Sequence, residues 1–465
     1  MRRPRDRFCV GAHNCCSAFF GAGGVHDYSA GTLGSRHDRL DQARAVTGTS
    51  LQATTTSTRR ALSARWPQLL VVGLAELLAM APWLGASAVA PSLVENWQLS
   101  GLDLPLLTVA VQLGFVVGAL LLAFSGAADA WPATRLFFAG AVLAATANIG
   151  FAMANDFGSA MLFRALTGFA LAAVYPVGMK LVVGWFERDR GLAIGTLIGA
   201  LTIGSALPYL FRAAGSAAAL DWQIVVTVSS VSALIGGVLV LLGGRIGPHD
   251  AQAPGLSLDS ARRAFSSPAV RLANLGYLGH MWELYAMWTW IPVFFLASFA
   301  AAGATDPAIA SLAAFVVVAL GGAGCIGAGL LADRVGRTSL TIGAMAISGT
   351  AAVITALTFG ADPLVTVAVA VVWGVTVVAD SAQFSAAVTE LTPPGTAGSA
   401  LALQTAAGFT LTGVTILVVG LIGAEDGNAW RLAFALLALG PAVGIVAMWK
   451  LRRRPEAVRM ANGHR

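Results

Sequence analysis

The sequence predicts an all-α membrane protein in which twelve transmembrane helices form two pseudo-symmetric six-helix bundles. Three observations predict this fold class: an apolar composition, twelve stretches of membrane-spanning length, and a repeat between the two halves of the chain. Of the 465 residues, 57% are hydrophobic and only 11% are charged, whereas roughly a quarter of an ordinary soluble protein is charged. This composition excludes a soluble fold.

Twelve apolar stretches are long enough to cross a bilayer, which takes about 20 residues. Eight of them carry no charged residue: 104–128, 136–155, 191–211, 222–244, 307–332, 338–361, 391–424 and 432–449. Four contain one or two ionisable groups: 67–91 with Glu76, 158–185 with Arg164 and Lys180, 271–298 with Glu283, and 364–389 with Asp380. Little of the chain then remains for a soluble catalytic domain.

The basic residues lie almost entirely on one side of the predicted membrane. If the N-terminus is placed inside, the inner segments hold 25 Lys and Arg residues and the outer loops hold two, Arg212 and Arg431. Because Lys and Arg are retained on the cytoplasmic side, we expect a multi-pass protein of the plasma membrane with both termini in the cytoplasm.

The sequence divides into five segments. We predict a disordered cytoplasmic tail over 1–66, a six-helix bundle over 67–244, a cytoplasmic linker over 245–270, a second bundle over 271–450, and a basic tail over 451–465. The formal charge of +6 comes from the first tail, with ten Arg against four Asp, and the remainder is balanced at 19 basic and 19 acidic residues. A nucleic-acid partner is therefore not expected.

The cysteines indicate neither a disulfide framework nor a cofactor. Three of the four, Cys9, Cys15 and Cys16, lie in the first tail near His13, and Cys325 stands alone in an apolar run. The adjacent cysteines do not have the spacing of a zinc finger, so we predict no metal site.

A repeat relates the two halves of the chain. Residues 75–83 (AELLAMAPW) align with residues 282–290 (WELYAMWTW) at an offset of 207, with five identities that include Glu76 and Glu283. Asp129 and Asp333 end the second and eighth spans at a similar offset. The halves are therefore predicted to be parallel six-helix repeats.

Two motifs carry a resemblance to a known family. Residues 329–337 (GLLADRVGR) resemble the signature loop of the major facilitator superfamily in its second-half copy. The first-half copy, residues 128–135 (ADAWPATR), keeps the Asp and a displaced Arg but loses the glycines. Arg164 followed by Gly168 resembles the fourth-helix motif of the same family.

The resemblance covers about residues 67 to 450. It implies two bundles around a central cavity that opens alternately to each side, lined by the first, fourth, seventh and tenth helices. Gly195, Gly199 and Gly204 resemble the glycine-rich motif of the family's drug exporters, although the Gly-Pro pair of that motif is missing.

Buried ionisable groups are the first candidates for transport. A carboxylate in hydrocarbon is costly and usually faces the bundle interior, which points to Glu76, Glu283 and Asp380. His280 precedes Glu283 by one turn, so we expect the two to form a titrating pair. These four groups are predicted to bind protons or substrate, with Glu283 more important than Glu76; the alternative is a structural hydrogen bond between helices.

Other charged residues suggest a coupling group and a gate. Arg164 is expected to take part in proton coupling or to pair with a buried acid, whereas Lys180 either faces the cavity or extends to the cytoplasm. A cytoplasmic gate is predicted in which a signature-loop carboxylate binds a helix N-terminus and arginines pair with acids. Its residues are Asp333, Arg334, Arg337, Asp129, Glu187 and Glu390.

Large apolar and aromatic side chains suggest the lining of the cavity, where they suit an amphipathic organic solute. Lipid contact is the alternative for the Trp residues. The predicted lining residues are Trp83, Tyr285, Trp290, Met80, Met287, Tyr175, Lys180 and Gln383.

These features favour a proton-coupled secondary active transporter of a small organic solute, embedded in the bilayer as a monomer without a cofactor. An uncoupled facilitator of the same fold, or a receptor or scaffold, is the alternative. An enzyme is not expected, because neither a His-Glu-x-x-His motif nor a phosphate-binding glycine loop with Lys occurs.

Overall fold

A computed structural model describes residues 64–99, 102–187, 189–250, 256–423 and 426–464, and these residues form helices without a β-strand. The predicted all-α membrane fold is confirmed. Most of the predicted first tail lies outside the described residues, and its last three positions, 64–66, already belong to the first helix. The first half contains α1 (64–79), α2 (Gly85–Ala88), α3 (Ala90–Trp97), α4 (Asp103–Ser125), α5 (Ala127–Ala130), α6 (Ala133–Ala152), α7 (Phe157–Leu171), α8 (Tyr175–Val183), α9 (Arg190–Ala217) and α10 (Trp222–Gly243).

The second half follows a short helix in the linker. Two 3-10 turns, Pro455–Arg459 and Ala461–Gly463, follow its last helix. The helices are α11 (Leu258–Ser266) in the linker, then α12 (Pro268–Ala301), α13 (Pro307–Val335), α14 (Arg337–Leu357), α15 (Pro363–Val377), α16 (Ser381–Leu391), α17 (Ala397–Gly423), α18 (Gly427–Leu437) and α19 (Leu439–Arg452).

Eleven helices of the described chain are long and apolar enough to span a membrane when α7–α8, α15–α16 and α18–α19 are each taken as one span. The remaining predicted span, the first, over 67–91, is broken into α1, α2 and α3, and the twelve predicted spans are approximately consistent with the structure. Pro82 lies in the break, where its ring would collide with the carbonyl group of residue 78 in a regular helix.

The fourth and tenth spans are broken at equivalent places. The fourth is interrupted between Leu171 and Tyr175, and the tenth between Val377 and Ser381, an offset of 206 that agrees with the sequence repeat. Pro176 explains the break of the fourth span, since it cannot continue a helix from the preceding turn. Backbone groups left unpaired inside a membrane need other partners, so these breaks are places where side chains from neighbouring helices are required.

Glycines let helices approach each other to backbone contact, both within and between the bundles. A Cβ atom on Gly199 of α9 would lie 2.8 Å from the carbonyl oxygen of Gly322 on α13, and one on Gly322 would lie 2.9 Å from that of Gly199. Gly191, at the start of α9, and Gly329, near the end of α13, approach each other in the same way. The two bundles therefore contact each other along α9 and α13.

Within the first bundle, Gly168 is required by packing. A Cβ atom there would lie 1.9 Å from the carbonyl oxygen of Val111, and one on Gly114 would lie 2.0 Å from that of Ala165. We expect Gly168→Ala to destabilise the purified protein by about 2 kcal/mol or more, because α4 and α7 must separate. Thermal unfolding in detergent measures this. Gly343→Ala is the control, since nothing lies within 4 Å of its Cβ position; equal melting temperatures for both variants would contradict the packing argument.

One end of the bundles carries Lys180, Arg245, Arg337 and Arg452, and we call it the basic end. The linker packs against it: the Trp185 indole donates to the carbonyl oxygen of Arg245 at 2.9 Å, and the backbone N–H of Leu256 donates to that of Ala123 at 3.0 Å.

The C-terminal segment packs there as well. The backbone N–H of Ala461 donates to Glu390 at 3.2 Å, and Met460 is fully buried. The predicted tail over 451–465 is therefore folded onto the tenth span in its described part.

Candidate functional site

Arg164 holds the break in the first span. Its guanidinium donates to the carbonyl oxygens of Pro82 at 2.8 Å and Trp83 at 2.5 Å, and to the side chain of Asn148 at 3.3 Å. Asn148 in turn donates to Ser230 of α10 at 3.0 Å. Of the two roles expected for Arg164, pairing with a buried acid is not found, because the break frees carbonyl groups that need donors; a part in proton coupling stays a prediction.

The helix that carries Arg164 is fixed by Asp156 at the end opposite the basic end. The Asp156 carboxylate accepts from the backbone N–H and the hydroxyl group of Ser159, both at 2.9 Å. These hydrogen bonds hold the pKa of Asp156 below its usual value, as expected for a carboxylate at a helix N-cap.

Glu76 is buried and unpaired. Its side chain is fully buried and neither oxygen has a hydrogen-bond partner in the described part of the chain. A Cβ atom on Gly178 of α8 would lie 2.4 Å from Oε2, with Phe137 beside it, so the carboxyl group points at the fourth span. A charged group in such surroundings costs several kcal/mol unless it is compensated.

Glu283 has the opposite environment. Oε2 accepts from the Ser348 hydroxyl at 2.9 Å and Oε1 accepts from the Trp373 indole at 2.7 Å. Both donors belong to the second bundle, on α14 and α15. Each oxygen of Glu283 is therefore satisfied within its own bundle.

His280 does not pair with Glu283, contrary to our expectation. Its Nδ1 lies 2.9 Å from Oδ1 of Asp380 and its Nε2 lies 2.9 Å from the hydroxyl of Ser381. The ring N–H is not aligned with the carboxylate, so this contact has ion-pair distance without hydrogen-bond geometry. Asp380 and Ser381 stand at the break of the tenth span, which His280 thus connects to α12.

An aromatic layer joins the two bundles. It consists of Trp83 and Phe115 from the first bundle and Tyr285, Trp288 and Phe409 from the second, with neighbouring ring centroids 4.6 to 5.8 Å apart. The indole N–H groups of Trp83 and Trp288 have no partner among the described residues. This layer contains two of the predicted cavity residues, Trp83 and Tyr285.

The other predicted cavity residues are less uniform. Met80 and Met287 are buried, and Tyr175 is half-buried at the start of α8. Trp290 instead donates to the carbonyl oxygen of Ile416 at 3.0 Å. Gln383 accepts from Arg337 at 2.7 Å, which places it at the basic end and not in the aromatic layer.

The signature loops form a charged clamp in each bundle. In the second bundle, Arg337 binds both carboxylate oxygens of Glu390 on α16, at 2.6 and 2.8 Å. In the first, Lys180 on α8 donates to Asp129 on α5. The signature loop therefore supplies the cation in the second bundle and the carboxylate in the first. Lys180 thus lies at the basic end and not in the aromatic layer, and its extension towards the cytoplasm stays a prediction.

The other predicted gate residues have separate surroundings. Glu187, which was expected to pair with a loop arginine, lies 3.1 Å from Nδ1 of His249 in the linker, and Arg334 is exposed. Asp333 lies 3.5 Å from Arg337 and extends to the other bundle, where a Cβ atom on Gly191 would be 3.6 Å from Oδ2. Gly191 is in the first turn of α9, whose positive end favours a carboxylate.

Asp333→Asn is expected to favour separation of α9 and α13 at the basic end. The lost attraction to the α9 N-terminus is about 0.3–1 kcal/mol, which shifts a two-state equilibrium about two- to fivefold. Cys325 reports this, because its carbonyl oxygen would lie 2.6 Å from a Cβ atom on Gly195 of α9. With the three tail cysteines replaced by Ser, maleimide labelling of Cys325 should accelerate by that factor.

The control for this experiment is Asp306→Asn, which removes a carboxylate from the opposite end of α13 and should leave labelling unchanged. Equal labelling of Asp333→Asn and the parent protein would refute the gate assignment.

Among the described residues, no group of three or more His, Cys, Asp or Glu side chains is placed to hold a metal ion.

Comparison with known proteins identifies the family. A sequence model of the Major Facilitator Superfamily matches residues 72–414, most of the chain. The chain belongs to this superfamily. The fold agrees: two structures of a bacterial homologue of the human lysosomal transporter Spinster, both inward-facing, superimpose with TM-scores of 0.61 and 0.60. Each covers 83% of this chain and 96% or 95% of the other, at 14% and 15% identity.

Two relatives of this superfamily member match over shorter segments. The MFS transporter asaE of Aspergillus flavus is 27% identical over 182 residues, 38% of this chain and 39% of its own length. The puromycin resistance protein pur8 of Streptomyces alboniger is 31% identical over 188 residues, 40% of this chain and 36% of its own length. Less than half of either relative is therefore covered.

Several site residues of this superfamily member were missed from the sequence. Asn148, Ser348 and Trp373 complete the networks around Arg164 and Glu283, and Gly178 makes room for Glu76. Polar residues such as Asn148 inside an apolar stretch were an available signal. Nothing in the sequence distinguished Trp373 from a lipid-facing Trp, or Gly178 from other span glycines.

Proposed function

We propose that the protein is a secondary active transporter that moves a small organic solute across the plasma membrane by alternating access, coupled to protons. Membership of the superfamily supports transport. In this proposal the basic end faces the cytoplasm, in accord with the distribution of Lys and Arg, and the protein acts as a monomer, without catalysis and without a cofactor.

The observation that carries the proposal of coupling is the unpaired Glu76. In the described part of the chain Arg164 donates to carbonyl groups and His280 contacts Asp380, so neither of them pairs with Glu76. Binding of a proton would remove the cost of a charge on Glu76 without any partner from the protein. Glu76 therefore replaces Glu283 as the first candidate, since the reason for preferring Glu283 was a histidine that contacts Asp380 instead.

The aromatic layer suggests where the solute binds. It lies between the bundles, so it must be disrupted when they rock apart, and that exposes aromatic faces together with the unpaired indole N–H groups of Trp83 and Trp288. Gln112, buried one turn from Phe115, also has both amide atoms unpartnered in the described chain. An amphipathic solute with an aromatic or apolar face and hydrogen-bond acceptors fits these groups. Puromycin, named in one relative, is a suitable first probe.

An uncoupled facilitator is the second candidate. It is favoured by the hydrogen bonding of Glu283, whose two oxygens accept from Ser348 and Trp373 and need no proton to be satisfied. Solute flux into vesicles containing the purified protein separates the two: coupled transport accumulates solute under a pH gradient and loses accumulation when a protonophore is added. Equilibration to equal concentrations, unaffected by the protonophore, would refute coupling.

A further inference from the structure

A basic pocket lies at the basic end between the start of α12 and the end of α19. Its volume is about 560 Å³, within the range of roughly 300–1,000 Å³ that ligand pockets cover. The lining combines four cations with an apolar wall: Arg271, Lys450, Arg453 and Arg454 with Pro268, Leu272, Leu275 and Trp449.

The charges in this pocket are largely uncompensated. Arg454 lies 3.8 Å from Glu456, whereas no ion pair of Arg271, Lys450 or Arg453 is found in the part of the chain that the structure describes. The Arg453 guanidinium stacks 3.4 Å from the centre of the Trp449 ring, which fixes its plane at the rim of the pocket. A multiply charged anionic ligand is the natural partner of such a cluster.

The apolar wall indicates that the anion carries hydrocarbon. Leu275 and Trp449 are 42% and 45% exposed and lie on membrane-spanning helices, so the pocket presents exposed apolar side chains beside its cations. Trp and Arg side chains together are typical of the headgroup level of a membrane. Basic pockets between helix ends on the cytoplasmic side suit lipid phosphates.

We propose that this pocket binds the phosphodiester headgroup of an anionic phospholipid, with the arginines on the phosphate and the acyl chains along Leu272, Leu275 and Trp449. The site is separate from the aromatic layer and from Glu76, so it does not rest on the proposed transport activity. The lipid would join α12 to α19 at the end where the bundles are proposed to open.

Native mass spectrometry of the purified protein with added phosphatidylglycerol or phosphatidylcholine tests the site. The protein should retain phosphatidylglycerol in preference to phosphatidylcholine. The double variant Arg271→Gln, Arg453→Gln should bind phosphatidylglycerol about 25-fold more weakly, since each cation near the surface contributes about fivefold. The matched control is Arg135→Gln, an exposed arginine at the same end of the other bundle, which should bind as the parent does.

Two further arms keep the result interpretable. The charge-preserving variant Arg271→Lys, Arg453→Lys should retain most of the binding, and both double variants should melt close to the parent temperature because these side chains are exposed. Undiminished phosphatidylglycerol binding by the Gln variant would overturn the proposal. Displacement of the lipid by millimolar inorganic phosphate would overturn the lipid as the ligand and indicate a site for free phosphate.

Discussion

Glu76→Gln is expected to abolish solute accumulation driven by a pH gradient while exchange of solute across the membrane continues. Gln keeps the size of the side chain but cannot carry a proton, and exchange does not require net proton release. A gradient of one pH unit supports up to about tenfold accumulation at one proton per solute, and the variant should reach equal concentrations on both sides. Radiolabelled solute in vesicles of the purified protein measures both quantities.

Two variants test whether the position of Glu76 matters as well as its charge. Gly178→Ala puts a methyl group 2.4 Å from Oε2 and should impair coupling although the carboxyl group remains. Glu283→Gln should keep a pH-dependent accumulation, because the oxygens of Glu283 are held by Ser348 and Trp373. Normal accumulation by Glu76→Gln, with the pH profile of the parent, would make Glu76 structural and move the search to Glu283 or Asp380.

Arg164→Ala is expected to destabilise the first bundle strongly. It leaves the buried carbonyl oxygen of Trp83 without a donor and that of Pro82 with only the backbone N–H of Gly85, at 3.3 Å. A lost hydrogen bond to a charged donor costs about 1.5–3 kcal/mol. We therefore expect a total of about 3 kcal/mol or more, seen as a lower melting temperature and a lower yield of folded protein.

Two comparisons show whether this loss comes from the broken span. Arg164→Lys keeps one donor group but not the planar fork that binds two carbonyl groups at once, so its stability should be intermediate. Arg431→Gln removes an exposed arginine that also donates to a carbonyl oxygen, that of Phe359 at 3.0 Å, and should change stability by less than about 0.5 kcal/mol. If Arg164→Ala melted at the temperature of Arg431→Gln, the proposed support of the break would be wrong.

The sequence was sufficient for the fold because a bilayer imposes a length and a polarity on each span. The repeat around Glu76 and Glu283 also predicted the matching halves, and the breaks of the fourth and tenth spans keep nearly the same offset. Hydropathy could not reveal the break of the first span, since the residues on both sides of Pro82 are equally apolar. The feature of the sequence that indicates this break is Pro82, which the span prediction did not take into account.

The partners of the buried charges were harder to predict. His280 and Glu283 are three residues apart, which on a helix leaves their directions about 60° apart; this is compatible with a pair but does not require one. Asp380 contacts His280 because the tenth span is broken beside Asp380, and a carboxyl group at a break can approach a neighbouring helix. Arg164 likewise donates to carbonyl groups at the break of the first span. Side-chain partners were therefore set by irregular backbone that a periodic pattern does not show.

Proton movement driven by the solute tests the central claim most directly. Vesicles of the purified protein with a pH-sensitive dye inside receive a solute gradient with the membrane potential held at zero by potassium and valinomycin. The account predicts that the solute gradient moves protons, that reversing it reverses their direction, and that Glu76→Gln transports solute without a pH change. Solute flux through the parent protein with no movement of protons would contradict it.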